Sequence, residues 1–277
     1  MLREDEVAFL LPGILSRGEN FQALGIPTDG VAEYGMFGPN CFKPDWSVRG
    51  AALDVLNSLR RGKKVLLVGA SLGGMLVPFV VREIRELLIP DEDVLSGLRC
   101  VIIDAPSGAK TMKAVGPFAS RVITSPFGHL LRPLAHVKVL PKDDYIEVPD
   151  TETTREIAGE AMSGVAWRAY IKGRAKQELG GHSSKLWLEQ LRWMIRVGDD
   201  GELTKVCDLE KACASLAGID VAYLQCCGAG NDVVTPDASG WWHDVVPGIK
   251  MFWVEAAHCG FVQQAPTFRG ALTKILG

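Results

Sequence analysis

Lys63–Val81 reads "KKVLLVGASLGGMLVPFVV", and the rest of the chain is read outward from it. Val65–Val68 is a continuous apolar run of the kind that forms a strand covered on both faces. Gly69-Ala70-Ser71-Leu72-Gly73 interrupts it, and a second apolar run follows at once with the look of a buried helix. A Gly-x-Ser-x-Gly pentapeptide alone is a weak signal, but its place between strand and helix gives it a mechanical meaning. A sharp turn there forces the Ser71 backbone into strain, and small neighbours let strand and helix approach closely. The strain holds the Ser71 hydroxyl above the C-terminal edge of the sheet, where open α/β folds bind ligands. Leu72 opens the helix, so its amide points outward as a donor for developing negative charge.

Similar apolar runs bounded by turn residues recur at Val7–Leu11, Val31–Met36, Cys100–Ile103, Val221–Cys226 and Lys250–Val254. They are continuously apolar rather than alternating, which predicts a mostly parallel sheet of about six strands. Helical patterns lie between some of them. "DWSVRGAALDVLNSLRRG" has Asp45 or Ser47 as N-cap, Val48, Ala52, Val55 and Leu59 on one face, and Gly62 as a stop. Strands alternating with helices predict a doubly wound α/β sheet.

The alternation breaks after Ser107. Residues 108–205 open with Gly, Pro and basic residues and then turn helical, with a capping box at Thr153-Thr154-Arg155-Glu156. Ser184–Val197 places Trp187, Leu191, Met194 and Ile195 on one stripe. This segment reads as a mostly helical insertion, with residues 1–107 and 206–277 forming the core.

At 277 residues the chain suits one large α/β domain carrying an insertion. Hydrophobic residues make up 47% and the net charge is −3, with no basic block for a nucleic-acid backbone. The start, "MLREDEVAFLLPG", lacks a basic n-region and reads as no signal peptide. The uncharged run Val65–Val81 sits at the short limit for a membrane span and is broken by Gly69, Gly73, Gly74 and Pro78, so a span is not expected. Seven cysteines show no paired zinc spacing. They read as reduced, mostly buried thiols in a cytoplasmic protein.

A serine hydroxyl needs an adjacent base, itself oriented by a third group. His129, His136 and His182 fall in the insertion and His243 in the polar connection "GWWHDVVPG", where surface or capping roles are expected. His258 follows the last strand, in "MFWVEAAHCGFVQQAP", and is the candidate base. Two acids end strands at the same sheet edge. Asp232, in "CCGAGNDVVTP", is favoured over Asp104, in "IIDAPSG", because its loop is one strand away from that of His258.

The order Ser71…Asp232…His258, the strand-borne "GASLGG", the "G-x-x-D" turn and the "A-H-x-G-F" ending resemble the α/β-hydrolase superfamily. The resemblance covers nearly the whole chain, loosely in the insertion. It implies a nucleophile elbow at Ser71, a base at His258, an acid at Asp232, and a cap formed by the insertion. Where the family usually carries His-Gly after its first strand, this chain has Leu11-Pro12-Gly13-Ile14. The amides of Leu72 and Ile14, or Gly13 in place of the latter, are the expected oxyanion hole. The family's usual leading hairpin is not expected ahead of Val7.

The implied reaction is acyl transfer from a small or medium carboxylic ester to water, with no metal or organic cofactor. A serine nucleophile argues against the family's epoxide hydrolases and haloalkane dehalogenases, which use a carboxylate. Thioesterase, lactonase and carbon–carbon bond hydrolase activities use the same triad and stay open, as does a non-catalytic small-molecule-binding homologue. Trp167, Tyr170, Trp187, Trp193 and Met162 could roof an apolar pocket, although packing of the insertion accounts for most of them.

Overall fold

A computed structural model describes residues 5–11, 13, 21, 25–26, 32–33, 48–89, 93–107, 209–227, 234–256, 258 and 265–277. The expected insertion, 108–205, lies outside them, as do Ile14 and Asp232.

Among the described residues, six strands form one sheet: β1 (Glu6–Leu11), β2 (Ala32–Glu33), β3 (Lys64–Ala70), β4 (Leu98–Ile103), β5 (Asp220–Cys226) and β6 (Lys250–Val254). Every pairing is parallel, in the order β2-β1-β3-β4-β5-β6. Each strand overlaps one of the apolar runs, as a doubly wound sheet requires. Five α-helices are described: α1 (Val48–Arg60), α2 (Leu72–Leu87), α3 (Leu209–Cys213), α4 (Asp237–Val245) and α5 (Ala265–Leu276). Among the described residues, no helix is long and apolar enough to cross a membrane.

Alternation along the strands splits the core in two. Phe9, Leu67, Ile102 and Tyr223 face α1–α4, whereas Leu10, Leu66, Ile103 and Leu224 pack with Phe268 and Leu272 of α5. Burial on both faces is why these strands read as unbroken apolar runs. In the connection containing "GWWHDVVPG", Asp237–Val245 is helical, with Asp237 and Asp244 exposed on it. Trp242 is fully buried there, its ring stacked on Tyr223 at 5.7 Å between centroids, and that packing offsets the polarity of its neighbours.

Register positions the site. Leu11 pairs with Gly69, Ala70 with Ile103, and Ile103 with Leu224. Two steps beyond Leu11 and one beyond the other pairs, Gly13, Ser71, Asp104 and Gln225 fall in a single row. The ladder runs on into this row, since the Ser71 amide donates to Ile103 O and the Asp104 amide to Leu224 O, both at 2.8 Å. Strand order reverses between β1 and β3, so the row crosses the switch point where open α/β sheets bind ligands.

Candidate active site

Ser71 follows β3 and stands at the N-cap position of α2 with φ 53° and ψ −120°. A residue with a Cβ rarely adopts such a backbone, and the surroundings impose it here. A Cβ on Gly13 would lie 2.8 Å from Ser71 Cβ and 3.0 Å from Ala70 O, so only glycine lets the end of β1 lie against the serine. Gly69 backs onto Gly73 with no room for a side chain, and a Cβ on Gly74 would meet Ala105 Cβ at 2.6 Å. These close approaches let α2 leave the sheet steeply, with the Leu72 amide in its first turn. Ser71 itself is buried, although its residue type is usually exposed.

His258 stands four residues beyond β6, partly buried, and bridges two strand ends. Its Nε2 lies 3.0 Å from Ser71 Oγ, and its Nδ1 lies 2.6 Å from Asp104 Oδ2. A carboxylate can only accept, so Nδ1 carries the proton and Nε2 offers the basic lone pair. Ser71 therefore donates to Nε2. This places two of the three residues read from sequence, Ser71 and His258, in direct contact.

At the third position the structure shows Asp104, the alternative acid, while Asp232 lies outside the described residues. Asp104 lies against Nδ1, whereas the spacing of loops along the chain favoured Asp232. The physical reason is register: Asp104 lies one row step beyond the Ala70–Ile103 pair, directly beside Ser71. Its backbone is bent to suit, with φ 45°. Ser71 and Asp104 are the two non-glycine residues with positive φ among those described, and such strain concentrates at functional sites. Aspartate tolerates this conformation better than most residues, through short local hydrogen bonds.

Asp104 is 0% exposed, so its charge depends on internal partners. Oδ1 accepts from Gln225 Nε2 at 2.7 Å and from the Cys226 amide at 3.2 Å. Gln225 is a site neighbour that the sequence reading missed. Its position two residues after Tyr223 on β5 was the available signal, because it becomes meaningful once β4 and β5 are paired in register. Leu72 opens α2 as expected, and Gly13 touches the serine, whereas Ile14 lies outside the described residues.

No protein-family description and no curated protein matches the chain. Solved structures resemble it over most of their length. A bromoperoxidase from Bacillus anthracis superposes with TM-score 0.61 at 19% identity, covering 98% of this chain and 92% of that one. A hydrolase from Oleispira antarctica gives TM-score 0.62 at 10% identity, covering 100% and 93%. The fold is that of the α/β-hydrolases. An enol-lactonase from Burkholderia xenovorans shares this α/β-hydrolase fold with TM-score 0.56 at 13% identity, covering 98% and 91%. At these identities the likeness concerns architecture, and the chemistry must be argued from the side chains.

Proposed function

We propose that this protein is a serine hydrolase that transfers an acyl group from a carboxylic ester to water. The observation that carries the reading is the continuous chain Ser71 Oγ–His258 Nε2 and His258 Nδ1–Asp104 Oδ2, at 3.0 and 2.6 Å. His258 takes the Ser71 proton as Oγ attacks the ester carbonyl, and the buried Asp104 carboxylate holds the resulting imidazolium. The tetrahedral oxyanion accepts hydrogen bonds from the Leu72 amide and from the backbone after β1, Gly13 or Ile14. Each such donor is worth about 10²–10³ in rate where measured. His258 then gives its proton to the leaving alcohol, activates water, and regenerates Ser71.

Residues 108–205 are assigned to a cap over this edge of the sheet, because β4 ends at Ile103 beside the triad and the chain returns as α3 at Leu209. The substrate class proposed is a small or medium ester. A lactone is the same bond closed in a ring, and an enol-lactonase and a thermophilic esterase are among the proteins of similar fold. Chromogenic esters of graded acyl length test the proposal. Hydrolysis that disappears in Ser71→Ala and His258→Ala is the expected result; turnover that survives both substitutions contradicts it.

A further inference from the structure

We propose that Gln225 is a positioning residue for Asp104, holding the carboxylate in the rotamer that offers Oδ2 to His258. The inference rests on the hydrolase reading above and adds a residue to it. A carboxylate at the end of a strand can rotate about its χ angles, and the ladder bond from the Asp104 amide to Leu224 O fixes the backbone but not the side chain. Three donors meet Asp104 here: the imidazole on Oδ2, and the Gln225 side chain and Cys226 amide on Oδ1. Two donors on one oxygen leave the other aimed at the imidazole.

The glutamine is itself fixed. It is 1% exposed, and its Nε2 also donates to Cys226 O at 3.1 Å. With a carboxylate and a carbonyl both facing this nitrogen, the amide has one workable orientation. Its Oε1 faces the Tyr223 hydroxyl at 3.1 Å, and that hydroxyl also lies 3.0 Å from Ala105 O. Trp242 Nε1 donates to the same carbonyl at 2.8 Å. Tyr223, Gln225 and Trp242 thus clasp the Asp104-Ala105 bend from β5 and α4, while Gly74 of α2 leaves room for it on the other side. A neutral amide suits this place. It stabilises the ionised carboxylate by donating to it, and brings no second charge that would compete for the imidazole proton.

The test compares wild type with Gln225→Met, which keeps side-chain length and removes the donor. The expected result is a fall in kcat of about 10- to 100-fold, the range for losing a hydrogen bond to a charged group, with KM little changed. Wild-type kcat in the folded variant, or a loss confined to KM, overturns the proposal. A wild-type measurement decides the matter should the variant fail to fold. When a fluorophosphonate caps Ser71, His258 becomes an imidazolium and draws on Asp104, so the Gln225 side-chain amide signals in a ¹⁵N spectrum must move. Unmoved signals in labelled protein overturn the positioning role alone. A wild type that neither cleaves esters nor accepts the phosphonate overturns the hydrolase reading, and this role with it.

Discussion

The Asp104 side chain is fully buried, and in the proposed mechanism its value to His258 lies in the negative charge it offers. Replacing it by asparagine keeps the shape and suits the positive φ, but an amide can turn its NH₂ toward the ring and favour the wrong tautomer. Asp104→Asn is therefore expected to lower kcat by about 10⁴-fold, as when the orienting aspartate of a serine triad loses its charge. Initial rates on the best chromogenic ester measure this. Asp232→Asn is expected to keep wild-type kcat in the same assay. The sequence allowed both acids because each follows a strand of the same sheet. What separates them is the side-by-side row of Ser71 and Asp104, which depends on register between strands distant in the chain. Ser71 and His258 were legible earlier, since a serine between glycines at a strand–helix junction and a histidine after the last strand together suit a nucleophile and its base and little else. Gln225, inside an apolar strand, gave no sign until its neighbour was known.

At the scale of elements, the elbow depends on α2 lying hard against β4. Gly74→Ala would put a methyl group 2.6 Å from Ala105 Cβ and 3.0 Å from Ile102 Cγ2. Neither neighbour can swing away, so α2 must shift and carry Ser71 with it. Overpacking of this kind costs about 1–3 kcal/mol, read from the urea midpoint, and kcat should fall alongside. Loss of stability with unchanged kcat would mean that the helix can move without disturbing the serine. The thiols report on the strands. Burial pushes the Cys100 thiol up, with the nearby Asp220 charge adding to the effect, so it stays protonated at neutral pH. Cys100, Cys213 and Cys226 are buried thiols, whereas Cys227 is exposed. Iodoacetamide on native protein, followed by peptide mass spectrometry, is expected to mark Cys227 and spare those three. β1, β3, β4 and β5 were readable because they are buried on both faces; the burial of Trp242 on α4 was not, because it depends on Tyr223 beneath it.

At the scale of the whole sheet, the proposed catalytic residues and a buried ion pair lie at opposite edges among the described residues. At the edge away from Ser71, Arg99 pairs through Nε and Nη2 with the two oxygens of Glu6 at 2.5 and 2.6 Å and donates through Nη1 to Leu276 O at 3.0 Å. One guanidinium thus ties β1, β4 and the end of α5 together. Glu6→Gln strands that buried charge and is expected to cost about 3–5 kcal/mol in urea unfolding, with kcat per folded molecule unchanged. The doubly wound arrangement was visible in the alternation of apolar runs and helical patterns, and the six strands among the described residues fit it. The long segment after Ser107 announced itself only by breaking that alternation.

The most direct test is the rate at which a fluorophosphonate attaches to Ser71, followed by peptide mass spectrometry in wild type, Asp104→Asn and Asp232→Asn. The account predicts one adduct on Ser71 in wild type, an unchanged rate in Asp232→Asn, and a rate slowed by several orders of magnitude in Asp104→Asn. An unlabelled Ser71 in folded wild type, or slowing in Asp232→Asn with Asp104→Asn unaffected, would contradict it.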